Sequence, residues 1–386
     1  MVFSRIIGAW LIAICLFAGI SPSFAQGVLG VTATNDRVGR APSADAAGEA
    51  DEVQRTNQWT VGLVGGLLEG AYLRFAAEIS RAVDDGENMR VLGIMTKGSI
   101  QNVHDLLYLK GVDVGLVSAD TFDDIIKAGK IRSITDRLQY ITQLHVNTLQ
   151  LLVRSDIKTI KDLAGKKVAV AKKGSSSAAL GIKVLKKEGV KADVHMIGWT
   201  NGFQKVKTGE FAGVFTAFVK GQTTIFSSID PKSGMHLLPI SFDKYADEYY
   251  VPIFLDHKDY PNLIAEGESI ETLGSPVVLA VYNWPRGTDR FRKVARFIEY
   301  FFKRFDTLRK PPYHPAWKEI NLAAKVPGWK RYWYAEEVLK KYLKKRAAGG
   351  IKLNAEERKI LSSIKNTEQK RQFREFLKWK KEHKPH

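Results

Sequence analysis

From Trp59 onward the chain alternates short apolar runs with amphipathic helical ones, and that alternation leaves few folds open to it. Residues 59–64, 90–95 and 112–117 read as strands. Between and after them, 72–83, 99–109 and 119–127 repeat apolar residues at helical spacing. Such a series calls for right-handed crossovers and a mainly parallel sheet with helices on both faces, the α/β class. Two strands in close succession, 140–145 and 148–153, suit a crossing between lobes. A second series then follows: strands at 167–171, 193–197, 212–217 and 235–239, helices at 175–187 and 202–207. Strands at 249–254 and 276–281 and the amphipathic helix 289–305 are expected to return to the first lobe. The resulting organisation is two lobes, 59–146 plus 249–328 and 147–248, with a ligand cleft between them at the C-terminal ends of the strands.

The N-terminus reads as an export signal. Arg5 precedes an apolar stretch, 6–20, followed by Ser21, Pro22, Ser23, Phe24 and Ala25, with the cut expected near Ala25. The stretch is shorter than the roughly 18 residues of a spanning helix. Cys15, the single cysteine, lies inside it and lacks the small preceding residues of a lipoprotein site. A chain exported without it forms no disulfide and offers no thiolate to a substrate or a metal. Residues 26–58 are rich in Ala, Gly, Ser, Asp and Thr and poor in large apolar residues, so a flexible leader is expected there.

The formal charge of +18 would suit a nucleic-acid partner if it were spread along the chain. It is not: residues 340–386 carry 16 Lys and Arg against 5 Glu. Export and a mildly basic remainder argue against nucleic acid. The segment 329–386 is expected to form basic helices, with Phe373, Phe376, Leu377 and Trp379 among the charges. It would either pack on a lobe or touch an anionic membrane or an acidic partner surface.

Two turns carry the candidate chemistry. Thr96-Lys97-Gly98-Ser99 and Lys173-Gly174-Ser175-Ser176-Ser177 each open a helix with small residues. They present first-turn N–H donors, the positive end of the helix dipole and hydroxyls beside a lysine. Two such turns facing one cleft form a trap for a carboxylate or similar anion. Ser99 and Ser175 would otherwise serve only as helix caps. Tyr72, Ser118, Asp120, Phe218, Lys220, Tyr249 and Tyr250 fall at further turns or strand ends expected on the cleft side, where a tyrosine offers an apolar face and one hydroxyl. As single residues they are equally suited to packing, and Asp120 to capping its own helix.

Several stretches resemble a known family. They are Gly65 to Tyr72 after the first strand, Thr96-Lys97-Gly98-Ser99-Ile100-Gln101-Asn102-Val103, and the run Gly111-Val112-Asp113-Val114-Gly115-Leu116-Val117-Ser118-Ala119-Asp120. Leu152-Val153-Arg154-Ser155-Asp156 and the run from Ile160 to Val170 extend the likeness. Over about 59–305 the chain resembles the TRAP-associated extracytoplasmic immunogenic (TAXI) family of solute-binding proteins. The resemblance implies a periplasmic binding protein of the second class that hands a small organic anion, such as a carboxylate or amino acid, to membrane permease subunits. Lys97 stands where the family commonly has glycine, and Leu67-Leu68-Glu69 where its first loop is shorter. An ABC-type binding protein and a ligand-sensing subunit of a signalling system share the architecture.

Catalysis finds little support. Gly174-Ser175-Ser176-Ser177 is not a nucleophile elbow, and His104, His145, His195 and His236 stand singly, as packing or surface residues do. No enzyme activity, cofactor or metal is expected.

Overall fold

The computed structural model describes residues 44–348, apart from 69, 222–224 and 247–248. The expected export signal and the basic run beyond 348 lie outside the described residues. So does the leader up to residue 43.

The remainder of that leader is a helix, α1 (Ala44–Gln58). Low hydrophobicity correctly marks it as unburied, since residues 48–58 are almost all exposed. Alanine and glutamate nevertheless favour helix without any core to pack on, and Arg55 pairs with Glu52 one turn away.

The elements then run β1 (Thr60–Val64), α2 (Ala71–Val83), β2 (Arg90–Ile94), α3 (Ser99–Tyr108), β3 (Val114–Ser118), α4 (Ala119–Ala128), α5 (Ile134–Arg137) and β4 (Leu138–Val153). After these come β5 (Lys167–Val170), α6 (Ser176–Lys187), β6 (Asp193–Met196), α7 (Trp199–Lys207), β7 (Gly213–Val219) and β8 (His236–Leu237). The chain closes with β9 (Val251–Asp256), β10 (Ser269–Tyr282), α8 (Asp289–Leu308) and α9 (Trp333–Ala348). No described helix is long and apolar enough to cross a membrane.

The sheet order is β2-β1-β3-β10-β4-β7-β5-β6, with β8 beside β4 and β9 beside β10. Its outer ladders, β2-β1-β3 and β7-β5-β6, are parallel, as βαβ crossovers require. The ladders joining β3, β10, β4 and β7 are antiparallel, so the sheet is mixed rather than mainly parallel. The two strands expected at 140–153 are one, because Val146 and Asn147 stay in register with Pro276 and Ser275. Where Pro276 cannot donate, the β10–β4 ladder shifts register, the usual place for proline inside a sheet.

This arrangement makes two α/β lobes joined through β4 and β10. In the first, alternate strand residues feed opposite faces. Leu63, Leu116 and Leu279 pack with α2, α8 and α9, while Val64, Val117 and Val278 pack with α3 and α4. The second lobe buries Val168, Val170, Leu180, Val214 and Phe215 around β5, β7 and α6. Tyr250, Leu255, Tyr260 and Leu273, in the segment expected to return to the first lobe, are part of this second core; β9 pairs with the half of β10 that precedes Ser275. The C-terminal extension begins by packing: Tyr332, Ala335 and Leu339 are buried against the first lobe, and Tyr332 N donates to Tyr140 O.

Candidate functional site

The two helix-opening turns meet. Gly98 sits at φ 117° and ψ −160°, backbone that only glycine adopts readily, and a Cβ there would stand 3.4 Å from Ser175 Cα. Gly174, at φ 91°, lies equally close to Lys97, 3.5 Å to its Cβ. The starts of α3 and α6, one from each lobe, therefore face each other across the cleft.

Below them lies a buried polar floor. Tyr72 Oη accepts from Ser99 Oγ at 3.2 Å and from Asn147 Nδ2 at 2.9 Å, which leaves its own proton for Ser176 or for a guest. Burial raises the Tyr72 pKa above that of an ordinary phenol, so the hydroxyl stays neutral. Ser99 Oγ accepts from Ser118 N at 3.0 Å, and Ser118 Oγ donates to Thr121 Oγ1 at 2.9 Å. Asn147 also reaches Ser176 Oγ of the second lobe at 3.4 Å. At the far end Ser275 Oγ donates to Asp120 Oδ1 at 2.6 Å, while Asp120 Oδ2 is buried with no hydrogen-bond partner among the described residues. Burial raises the Asp120 pKa, opposed by the Ser275 bond. Behind Tyr72, His145 packs on Phe75 with ring centroids 4.3 Å apart, and burial, with His314 nearby, pushes its pKa down to about 3.

Two neighbouring chambers lie over this floor and share part of their lining. The inner one, about 30 Å³, is lined by Tyr72, Gly98, Asn147, Ser176, Ser177 and Trp199 among others. The outer one, about 490 Å³, is lined by Leu67, Leu68, Met95, Gln101, Lys172 and Trp199, with Thr96, Lys97, Ala171 and Gly198. Leu67, Lys97 and Trp199 border both. Trp199 is 5% exposed, its ring set edge-on to Phe218 at 4.9 Å, and its indole N–H is buried without a partner among the described residues. No Asp or Glu lines either chamber among the described residues.

The expected residues divide accordingly. Tyr72, Thr96, Lys97, Gly98, Ser99, Ser118, Asp120, Ser175, Ser176 and Ser177 gather at the chambers or in the floor beneath. Ser175 caps α6, accepting from Ala178 N at 3.2 Å. Lys173 is exposed and lines neither chamber, its place at the mouth being taken by Lys172. Phe218 is buried in the second core, edge-on to Trp199, and lines neither chamber. Lys220 turns to Asp259 at 2.9 Å and Asp256 at 3.7 Å. Tyr249 packs by Gly328, and Tyr250 by Tyr245 in the second core. The sequence reading missed Asn147, Ser275 and Trp199. Their signals were there: polar residues inside the buried strands β4 and β10, and an aromatic directly after Gly198 at another strand-to-helix turn.

The NMT1-like family profile matches residues 66–298, a span that holds both turns, the floor and Trp199. The chain belongs to the NMT1-like family. No curated protein matches the sequence. Solved structures similar to this family member include the alkanesulfonate-binding protein SsuA from Xanthomonas axonopodis pv. citri bound to MOPS: 14% identity over 75% of this chain and 91% of that one, TM-score 0.40. A TctC solute binding protein from Polaromonas is 12% identical over 75% and 96%, TM-score 0.40. The periplasmic binding protein BugD is 12% identical over 75% and 97%, TM-score 0.44.

Proposed function

We propose that this chain is a periplasmic solute-binding protein, without enzymatic activity, that captures a small organic anion and presents it to a membrane permease of the TRAP type. The observation that carries the reading is the convergence of two helix N-termini, one from each lobe, on a chamber whose described lining holds Lys97 and no acid. First-turn amides and aligned peptide dipoles at both ends favour a negative guest. Tyr72 and Ser176 supply hydroxyls beside it. The TAXI resemblance supports the TRAP assignment, and membership of the NMT1-like family supports solute binding. Because β4 and β10 are the described strands that run through both lobes, the lobes would swing about Asn147 and Ser275 to admit and enclose the solute.

A thermal-shift series tests this. Organic carboxylates should raise the Tm in proportion to the logarithm of their concentration, since a ligand that binds only the folded state stabilises it by RT ln(1 + [L]/Kd). Shifts confined to cationic amines or neutral sugars would refute the anion reading.

A further inference from the structure

The two chambers differ in size and chemistry, and the difference says more about the solute than its charge. The inner chamber, at about 30 Å³, holds roughly two water-sized groups, which matches the two oxygens of one carboxylate. Its donors are the amides opening α3 and α6 and the hydroxyls of Tyr72 and Ser176. Trp199 lines the chamber too, and its indole N–H is a buried donor that no described group satisfies. A buried N–H left unpaired costs free energy that an incoming oxygen would recover.

The outer chamber, about 490 Å³, lies within the volume range of organic-ligand pockets. Leu67, Leu68, Met95, Ala171 and the Trp199 ring give it apolar walls, with Leu68 77% and Met95 62% exposed. Such side chains gain by covering one another or by covering a guest. Lys97 and Lys172 stand on this wall with no described acid to meet a second cationic group.

Building on the proposed anion-binding role, we propose that the solute is an amphiphilic monocarboxylate. Its carboxylate occupies the inner chamber against Trp199 Nε1, and its apolar arm runs past the indole into the outer chamber. Trp199 is then the specificity-determining residue, its N–H reading the head and its ring face reading the arm. Compact dicarboxylates gain little, because a second carboxylate would meet only the exposed Lys97 and Lys172, whose attraction solvent screens, while burying its charge against Leu67, Leu68 and Met95.

Titration calorimetry of the full chain with acetate, butyrate, hexanoate and octanoate, beside succinate, glutarate, hexanesulfonate and hexylamine, tests the assignment. Affinity should rise about threefold to fourfold per methylene from acetate to hexanoate, as burial of one CH₂ predicts. Succinate and glutarate should bind no better than acetate, and hexanesulfonate less well than hexanoate because its third oxygen exceeds the inner chamber. Trp199→Phe should weaken every carboxylate by a similar factor, about fivefold to tenfold for one lost hydrogen bond, and leave the chain-length slope intact. Met95→Ser should flatten the slope and spare acetate. A flat series, or a preference for the dicarboxylates, overturns the amphiphile while leaving the anion reading in place. Binding of hexylamine in place of hexanoate overturns both, and so does an absence of binding by every probe. The wild-type series decides these outcomes without relying on either variant.

Discussion

The same tripeptide, Lys-Gly-Ser, opens a helix in each lobe, at Lys97-Gly98-Ser99 and Lys173-Gly174-Ser175, and the two copies use their serines differently. Both glycines take positive φ, 117° and 91°, so the turn needs glycine in both places. In the first lobe the helix starts at the serine. Gly98 is the cap, and Ser99 Oγ is diverted into the floor with Tyr72 and Ser118. In the second lobe the helix starts one residue later, and Ser175 is the cap. A shift of one residue thus turns a local capping group into a long-range link. The first turn depends on a buried network that reaches Asn147 and Asp120, whereas the second is secured within its own first turn.

The first consequence concerns acid. Tyr72, which anchors Ser99, lies edge-on to His145 with centroids 5.7 Å apart, and His145 titrates at about 3 in the folded chain against 6.5 ordinarily. Between those values the unfolded chain binds a proton that the folded chain refuses. The contribution of His145 to stability is therefore full above pH 6.5 and falls by up to about 1.4 kcal/mol for each pH unit below it, down to about pH 3. Burial lowers the pKa of His314 too, so it adds in the same direction. Denaturant melts at pH 7 and pH 5 should show the loss, and His145→Leu should remove one proton's share of the slope. Hydrogen exchange at pH 5 should release the amides of α3 before those of α6. Equal release of both helices would break the contrast between the turns.

A smaller effect separates the serines themselves. Ser99→Ala leaves Ser118 N without its acceptor and Tyr72 without one donor in a buried setting, a loss of about 1–3 kcal/mol. Ser175→Ala removes a helix cap and should cost about 1 kcal/mol. Aspartate, a good cap, should restore most of the loss at position 175. At position 99 it should restore nothing, because it would bury a charge at a fully buried position. Urea melts of the four variants read all of this, and rescue by Ser99→Asp would show that Ser99 is a cap after all.

These differences mark where the sequence stops being legible. Alternating periodicity places α2, α3, α4, α6 and α8 within a few residues, because each has one strongly apolar face. It does not tell which residue of Lys-Gly-Ser is the cap, since that depends on the contact between Gly98 and Ser175 across the lobes. Nor does it place Lys220, whose partners Asp256 and Asp259 follow it by more than thirty residues. The long strands also hide Asn147: the pattern reads β4 as two strands, 140–145 and 148–153, and passes over the residue between them that joins Tyr72 to Ser176. Trp199 escaped notice because its role rests on a buried N–H that no described group meets, which is a fact of packing and not of pattern.

The smallest effect concerns what holds the turns face to face. Apart from the glycine contacts, α4 of the first lobe is tied to α6 of the second by Lys183 Nζ and Asp124 Oδ1 at 2.7 Å. The side chains remain 21% and 40% exposed, so solvent screens the attraction and the pair is worth only about 0.2–1 kcal/mol. Lys183 also lies 5.5 Å over the Tyr250 ring, which orders the long side chain and places the coupling toward the upper end of that range. A double-mutant cycle with Lys183→Met and Asp124→Asn isolates the pairwise term from the ring contact, because the ring contact is lost equally with and without the aspartate. The coupling should fade at 1 M salt, where the screening length shrinks to about 3 Å. Coupling near zero even at low salt would leave the glycine contacts and the Asn147–Ser176 bond as the closure between the two turns. Coupling well above 1 kcal/mol that survived salt would mean that the lobes shut more tightly in solution than the exposure of Asp124 allows, and the two turns would then belong to one rigid unit.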